Sequence, residues 1–253
     1  MQLFCSIKFS NLLDFYIERE NNYMKSNNVS YYDNLLLMSS SRRSYYKEKL
    51  DFFTSRLGNK GSSKKQKILD IGCNDGELTE LYDQFGHAVG IDINRNAIKE
   101  CKKRGLECFC MDLNDMVKTH ANSFDFVIAG DIIEHIFETD KFLHNIHTVL
   151  KRNGKVLLTT PNLVSFGRRI MMMMGVNPYI EFSTELPSKE FNVGHIRYYT
   201  EKNLRAQLAA QGFRNVIIEG DIINILPHIT IPHRFAKNMS KLARNFLVYA
   251  EKG

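Results

Sequence analysis

Tryptophan is absent from the 253 residues, and proline and cysteine each occur only five times. With so little proline and no internal repeat, a collagen-like or proline-rich extended chain is excluded. The cysteines (Cys5, Cys73, Cys101, Cys108 and Cys110) are odd in number and form no CxxC pair. That pattern excludes a disulfide-stapled miniprotein and argues against a paired-cysteine zinc module. Three of them lie in apparent core segments, so reduced thiols are expected. Long apolar runs are missing too. A membrane-crossing helix needs about 18 apolar residues, and Ile170-Met171-Met172-Met173-Met174 is far shorter. Met1-Gln2-Leu3-Phe4 opens without a basic region or an apolar core, so no signal peptide is expected. These absences fit a cytoplasmic protein, with peripheral contact at a membrane surface as the one membrane role left open.

What is present is ordinary for a folded protein: 43% hydrophobic and 25% charged residues. Lysine and arginine number 34 against 28 acidic residues, a net charge of +6. Much of the excess is local, in Arg42-Arg43, Lys47, Lys49 and Lys64-Lys65-Gln66-Lys67. It reads as solvated surface more readily than as a nucleic-acid footprint.

The chain divides into three zones. Residues 1–64 are rich in Asn, Ser, Tyr and Lys. Within them Tyr45, Tyr46, Leu50, Phe53 and Leu57 fall at helical spacing, and Gly61-Ser62-Ser63 reads as a linker. This zone reads as a helical cap on a main domain over 65–253. Residues 65–161 alternate strand and helix. Strands are expected at 67–71, 88–92, 106–111, 124–129 and 155–160, with helices at 77–85, 96–104 and 139–151. Such alternation implies parallel βαβ units and a doubly wound α/β sheet. Beyond Pro161 an irregular insertion covers 163–198. A helix at 201–211, with Thr200 as its N-cap, then precedes strands at 213–219 and around Val248, which suit an antiparallel edge.

In an open α/β sheet, ligands bind beyond the carboxyl ends of the strands. The first such turn reads Asp70-Ile71-Gly72-Cys73-Asn74-Asp75-Gly76. The dinucleotide fingerprint G-x-G-x-x-G fails here. Asp92 ends the second strand, where a carboxylate can accept both hydroxyls of a ribose. Asp112 ends the third, where it can accept from an exocyclic amine.

These residues resemble the class I S-adenosylmethionine-dependent methyltransferases over roughly 65–220 and the tail. The family motif D/E-x-G-x-G-x-G is matched except at Asn74. The resemblance implies a Rossmann-like sheet of seven strands, mostly parallel with the last antiparallel, and helices on both faces. It implies S-adenosylmethionine as cofactor, with Asp70, Gly72, Cys73, Asn74 and Gly76 at its amino-acid part. Asp92 would hold the ribose, with Ile93 beside it also at the cofactor, Asp112 and Leu113 would hold the adenine, and Gly130 and Asp131 would pass near the methionine portion.

Two further motifs bear on the acceptor. Glu134-His135 follows the fourth strand, and Gly194-His195-Ile196-Arg197-Tyr198-Tyr199-Thr200 precedes the late helix. An acceptor hydroxyl must lose a proton to a base, and His135, His195 and Glu134 are the candidates. With Thr160-Pro161-Asn162-Leu163, these motifs resemble the branch containing ubiquinone-type and glycan-linked O-methyltransferases. The resemblance implies O-methylation of a sugar, glycan or other small hydroxylated acceptor. Arg168, Arg169 and the methionines of the insertion would suit one that is lipid-linked. Those methionines read either as a lid over the acceptor or as the core of a buried helix. In some RNA 3′-end 2′-O-methyltransferases and ubiquinone-type enzymes an E-x-x-E-H motif with a later His forms a divalent metal site. Asp131, Glu134, His135 and His195 would correspond, but glycan-type relatives share much of the pattern without its implying a metal, and none is assigned. An RNA partner is not expected, for no RNA-binding module or stacking Trp is present. Two alternatives stay open: metal-assisted RNA 2′-O-methylation, which the basic charge favours, and a non-catalytic cofactor-binding relative, kept open by Asn74.

Overall fold

Short segments rich in Val, Ile and Leu supply the strands, as their branched side chains favour extended backbone. In the computed structural model, which describes residues 47–59, 66–178, 195–226 and 229–253, the strands are β1 Lys67–Ile71, β2 His87–Asp92, β3 Glu107–Cys110, β4 Phe124–Gly130, β5 Leu150–Pro161, β6 Phe213–Gly220, β7 Ile223–Leu226, β8 Ile229–Ile231 and β9 Asn245–Lys252. The helices are α1 Lys47–Leu57, α2 Glu77–Tyr82, α3 Arg95–Lys103, α4 Leu113–Thr119, α5 Thr139–Val149, α6 Phe166–Met173, α7 Glu201–Ala210 and α8 His233–Ala236. A single 3₁₀ turn lies at Ile133–His135, and a second 3₁₀ stretch, kinked at Met239, at Lys237–Leu242.

Seven strands form one sheet in the order β3-β2-β1-β4-β5-β9-β6. The pairings from β3 through β5 are parallel. β9 runs antiparallel to both β5 and β6. This is the doubly wound sheet with an antiparallel last strand that the sequence implies. The strand order reverses between β1 and β4, so the crevice for a ligand opens beyond their carboxyl ends.

Both faces of the sheet are buried. One is covered by α5 and α7 through Phe142, Leu143, Ile146, Leu204 and Leu208. The other is covered by α1, whose Leu50, Phe52, Phe53 and Leu57 pack with Tyr82 and Phe85 onto Ile68, Phe126 and Leu157. The helical spacing read from Leu50 onward is thereby realised as packing onto the sheet. Tyr45, Tyr46, the 61–63 linker and most of the 163–198 insertion's second half lie outside the described residues. Thr200 caps α7 as expected, in a reciprocal capping box with Asn203.

Three expectations are corrected. β5 starts at Leu150 and not Lys155, because Asn153 takes φ 60° and the chain bulges between Leu150 and Lys155 before resuming register with β4. The α6 methionines do not form a buried core: α6 has no buried residue, and Met172 to Met174 are exposed. Cys101 and Cys108 are not reduced thiols but a disulfide. The tight return from α3 into β3 brings their Cα atoms to 6.4 Å, within bridging reach. Cys73 and Cys110 are free. The β7–β8 hairpin and α8 were not anticipated.

Candidate functional site

The turn from β1 into α2 is held open by left-handed backbone. Gly72 and Gly76 have φ of 76° and 81°, conformations that glycine adopts without steric cost. A Cβ at Gly72 would lie 2.3 Å from Ile132 Cδ1, and one at Gly76 would lie 2.6 Å from Cys101 Sγ. Asn74, the departure from the glycine pattern, has φ 52°. Asparagine is among the few side chains that tolerate this region, so the loop keeps the course that a glycine would give it. The Cys73 side chain packs into the core with Ile98, Cys101 and Cys108, leaving its backbone to the loop.

The acidic strand ends converge on this loop with different duties. Asp92 Oδ2 accepts from the Asn74 N–H at 3.0 Å, and Oδ1 from the Asn94 N–H at 2.8 Å. It therefore ties the loop to the end of β2, while each oxygen keeps a further lone pair. Ile93 beside it is exposed. Asp112 is the N-cap of α4, accepting from the Asp115 N–H at 3.0 Å. Leu113 is buried in the main core. Gly130 ends β4, with the Phe53 ring 3.5 Å from where its Cβ would stand.

Asp70 lies beneath the loop, buried, and accepts from Thr79 Oγ1 at 2.6 Å. Burial pushes its carboxyl up to about 7; the Thr79 bond opposes this and the Asp92 charge adds to it. Its ordinary value is 3.8, so the folded protein holds this proton longer than the unfolded chain. Stability therefore falls as pH rises from about 4 to about 7. Asp70→Asn, which keeps an acceptor for Thr79, should remove that slope. Urea unfolding at pH 8 is expected to show a gain on the order of 1–4 kcal/mol, absent below pH 4.

The second centre gathers residues from four elements. Lys49 of α1 is buried and donates to Asp131 Oδ2 at 2.5 Å. Thr159 Oγ1 donates to Asp131 Oδ1 at 2.8 Å. Asp131 follows β4 with φ 55°. Burial opposes its ionisation, but the Lys49 ammonium and the two hydrogen bonds override that and hold the carboxyl below its usual range. Lys49 and Thr159 were not read from the sequence. The signal for Lys49 was its place four residues before Phe53, on the buried stripe of α1.

Glu134 stands on the 3₁₀ turn, 1% exposed, with no hydrogen bond to either carboxylate oxygen. Burial, and then the Asp131 charge, push it up to about 8. Its backbone carbonyl accepts from the N–H groups of Ile196 at 2.9 Å and Arg197 at 3.0 Å. Those bonds dock the 195–200 segment and bring His195 Nε2 to 3.9 Å from Glu134 Oε1. The His135 and His195 rings lie 4.8 Å apart between centroids. The two motifs separated by 60 residues in sequence (195 − 135) thus form one cluster. One ligand atom from each of Glu134, His135 and His195 lies within 4.8 Å of the others. Asp131 is not part of that set, being engaged by Lys49 and Thr159. Oxygen and imidazole donors in this arrangement suit either a proton-transfer centre or a divalent ion.

Comparison with known proteins agrees with this architecture. Residues 40–217 match the family described as a methyltransferase domain. The human mitochondrial ubiquinone biosynthesis O-methyltransferase is 36% identical over 106 residues, 38% of this chain and 29% of that protein. The chain spans less than half the length of the curated relatives it matches. A SAM-dependent methyltransferase from Archaeoglobus fulgidus superposes with a TM-score of 0.61 at 21% identity, covering 86% of this chain and 99% of that one. The Burkholderia thailandensis 1,6-didemethyltoxoflavin-N1-methyltransferase, solved with bound 1,6-didemethyltoxoflavin and S-adenosylhomocysteine, gives 0.55 at 13% identity, covering 95% of this chain and 90% of that one.

Proposed function

The chain belongs to the methyltransferase-domain family, as a class I enzyme using S-adenosylmethionine, and on that premise we propose that it methylates an oxygen of a small hydroxylated acceptor such as a phenol or a glycan sugar. The observation that carries this reading is the cluster of buried Glu134 with half-buried His135 and His195. S-adenosylmethionine supplies an electrophilic methyl on a sulfonium that is already a good leaving group. The chain's own task is to bind, to orient and to remove one proton. Asp92 accepts the two ribose hydroxyls on its remaining lone pairs, Ile93 offers an apolar face to the adenine, and Asp112 accepts from its amine. His135 or His195 takes the acceptor proton. Glu134 Oε1 stands 3.9 Å from His195 Nε2; burial holds its proton up to about 8, so it would stabilise the resulting imidazolium fully only once it gives up that proton. The name of the human relative, a ubiquinone biosynthesis O-methyltransferase, supports oxygen as the acceptor atom. A turnover assay with phenolic and sugar acceptors tests the reading. Methylation of neither class, by a protein that binds S-adenosylhomocysteine, would overturn it.

The amino-acid end of the cofactor is a zwitterion, and the Lys49–Asp131 pair is its electrostatic complement. Lys49 faces the carboxylate and Asp131 the ammonium. Lys49→Met should weaken S-adenosylhomocysteine about tenfold to a hundredfold, the scale of one charged hydrogen bond. It should leave 5′-methylthioadenosine, which lacks the amino acid, unchanged by calorimetry.

The unbonded oxygens of buried Glu134 favour one second reading, in which Glu134, His135 and His195 hold a divalent ion that orients the acceptor oxygen. Turnover that survives exhaustive chelation would remove it. Direct calorimetric binding of magnesium or zinc, lost in Glu134→Gln, would establish it.

A further inference from the structure

Two segments distant in sequence pack together beyond the antiparallel edge of the sheet. Residues 166–178, which include α6, lie against residues 222–245, which include β7, β8 and α8. Phe166, Ile225, Ile231 and Leu242 close over Ile223, Ala236 and Ala243. Arg169 Nη2 donates to the Lys241 carbonyl at 3.1 Å. Together the two segments contain six cations, Arg168, Arg169, Arg234, Lys237, Lys241 and Arg244, and not one aspartate or glutamate. Arg244 is paired with Asp221, whereas Arg169, Arg234, Lys237 and Lys241 are exposed.

The same corner carries most of the exposed large apolar side chains among the described residues. Of the ten exposed large hydrophobics among the described residues, six are here: Met172, Met173, Met174, Ile229, Phe235 and Met239. Met173 is 82% exposed and Phe235 57%. Leaving such side chains in water is unfavourable, and grouped exposure of this kind marks a contact surface. Cations set among flexible apolar side chains match an interfacial surface, where headgroup phosphates meet the acyl boundary. Methionine gives no flat face for a base, and Phe235 is the one aromatic in the set, so single-stranded RNA is the poorer match.

We propose that this corner docks on an anionic phospholipid bilayer. Its position gives the docking a use that rests on the methyltransfer reading. Arg168 Nη1 donates to the Asn162 carbonyl at 3.0 Å, and Asn162 bridges to Tyr199, in the segment that carries His195. A bilayer at this corner borders the acceptor side of the site, where an acceptor with a lipid tail would arrive.

The test is sedimentation of the full chain with phosphatidylcholine vesicles, with and without a quarter phosphatidylglycerol. Binding is expected only to the anionic vesicles and should fall as salt rises. Met173→Ser with Phe235→Ser, and separately Lys237→Glu with Lys241→Glu, should each weaken it about tenfold or more. Calorimetry with S-adenosylhomocysteine should be unchanged in both, which shows that the variants are folded. No binding to anionic vesicles, equal binding to neutral ones, or unaltered binding by both variants overturns the proposal. So does retention of an RNA oligonucleotide in place of vesicles. Since no arm uses methyl transfer, a wrong acceptor and a wrong docking surface fail in different assays.

Discussion

Asp92→Ala is expected to weaken S-adenosylhomocysteine binding about a hundredfold or more while the sheet stays folded. The carboxylate would give the ribose two charge-assisted hydrogen bonds, each contributing about 1.5–3 kcal/mol. It also ties Asn74 and Asn94 together through their N–H groups, so its removal loosens the loop that lies against the cofactor. Asp92→Asn retains one acceptor and should recover part of the loss. The strand itself is anchored by Ala88, Val89 and Ile91, all buried, so circular dichroism should match the wild type. Unchanged affinity in Asp92→Ala would mean that the ribose lies elsewhere.

The second large effect concerns turnover. His195→Ala and His135→Ala should each leave S-adenosylhomocysteine affinity within about twofold, because neither stands at the β1–β2 end of the crevice. The variant lacking the base should lose roughly 10²–10⁴ in kcat, the usual contribution of a positioned base. Its residual rate should rise with pH as the acceptor ionises unaided. The other imidazole, if it only orients the acceptor, should raise KM more than it lowers kcat. Full turnover in both variants would remove the pair from the mechanism.

Much of the sheet was legible because its strands are short apolar runs bounded by Gly, Asn and Asp. The antiparallel position of β9 followed from the lack of a helix-length pattern directly before it. The Glu134-His135 and His195 motifs were visible separately. Their union was not, because it depends on backbone bonds from Ile196 and Arg197 to the Glu134 carbonyl, and main-chain contacts leave no mark in side-chain patterning. Lys49 was read among surface cations, since a single lysine on an apolar stripe resembles one that reaches past it to water. Asn74 is the one departure from the family's glycine pattern. A left-handed asparagine keeps the loop's course there, and its tolerance for positive φ was available from residue type alone. The disulfide was missed because parity and spacing do not report that α3 and β3 turn back on each other.

β9 lies between β5 and β6, and this has a consequence for how the chain is made. β6 reaches the sheet only through β9, and β5 pairs with β9 from Lys155 to Pro161. A chain emerging from the ribosome completes β5 at Pro161 and must then extend to Asn245, 84 residues later (245 − 161), before that edge is covered. During that interval Val156, Leu157 and Leu158 sit on an open strand edge, the kind that recruits other chains. Nascent chains stalled between these points should therefore be the ones that holdase chaperones retain, and release should follow synthesis of the single strand that seals both neighbours at once.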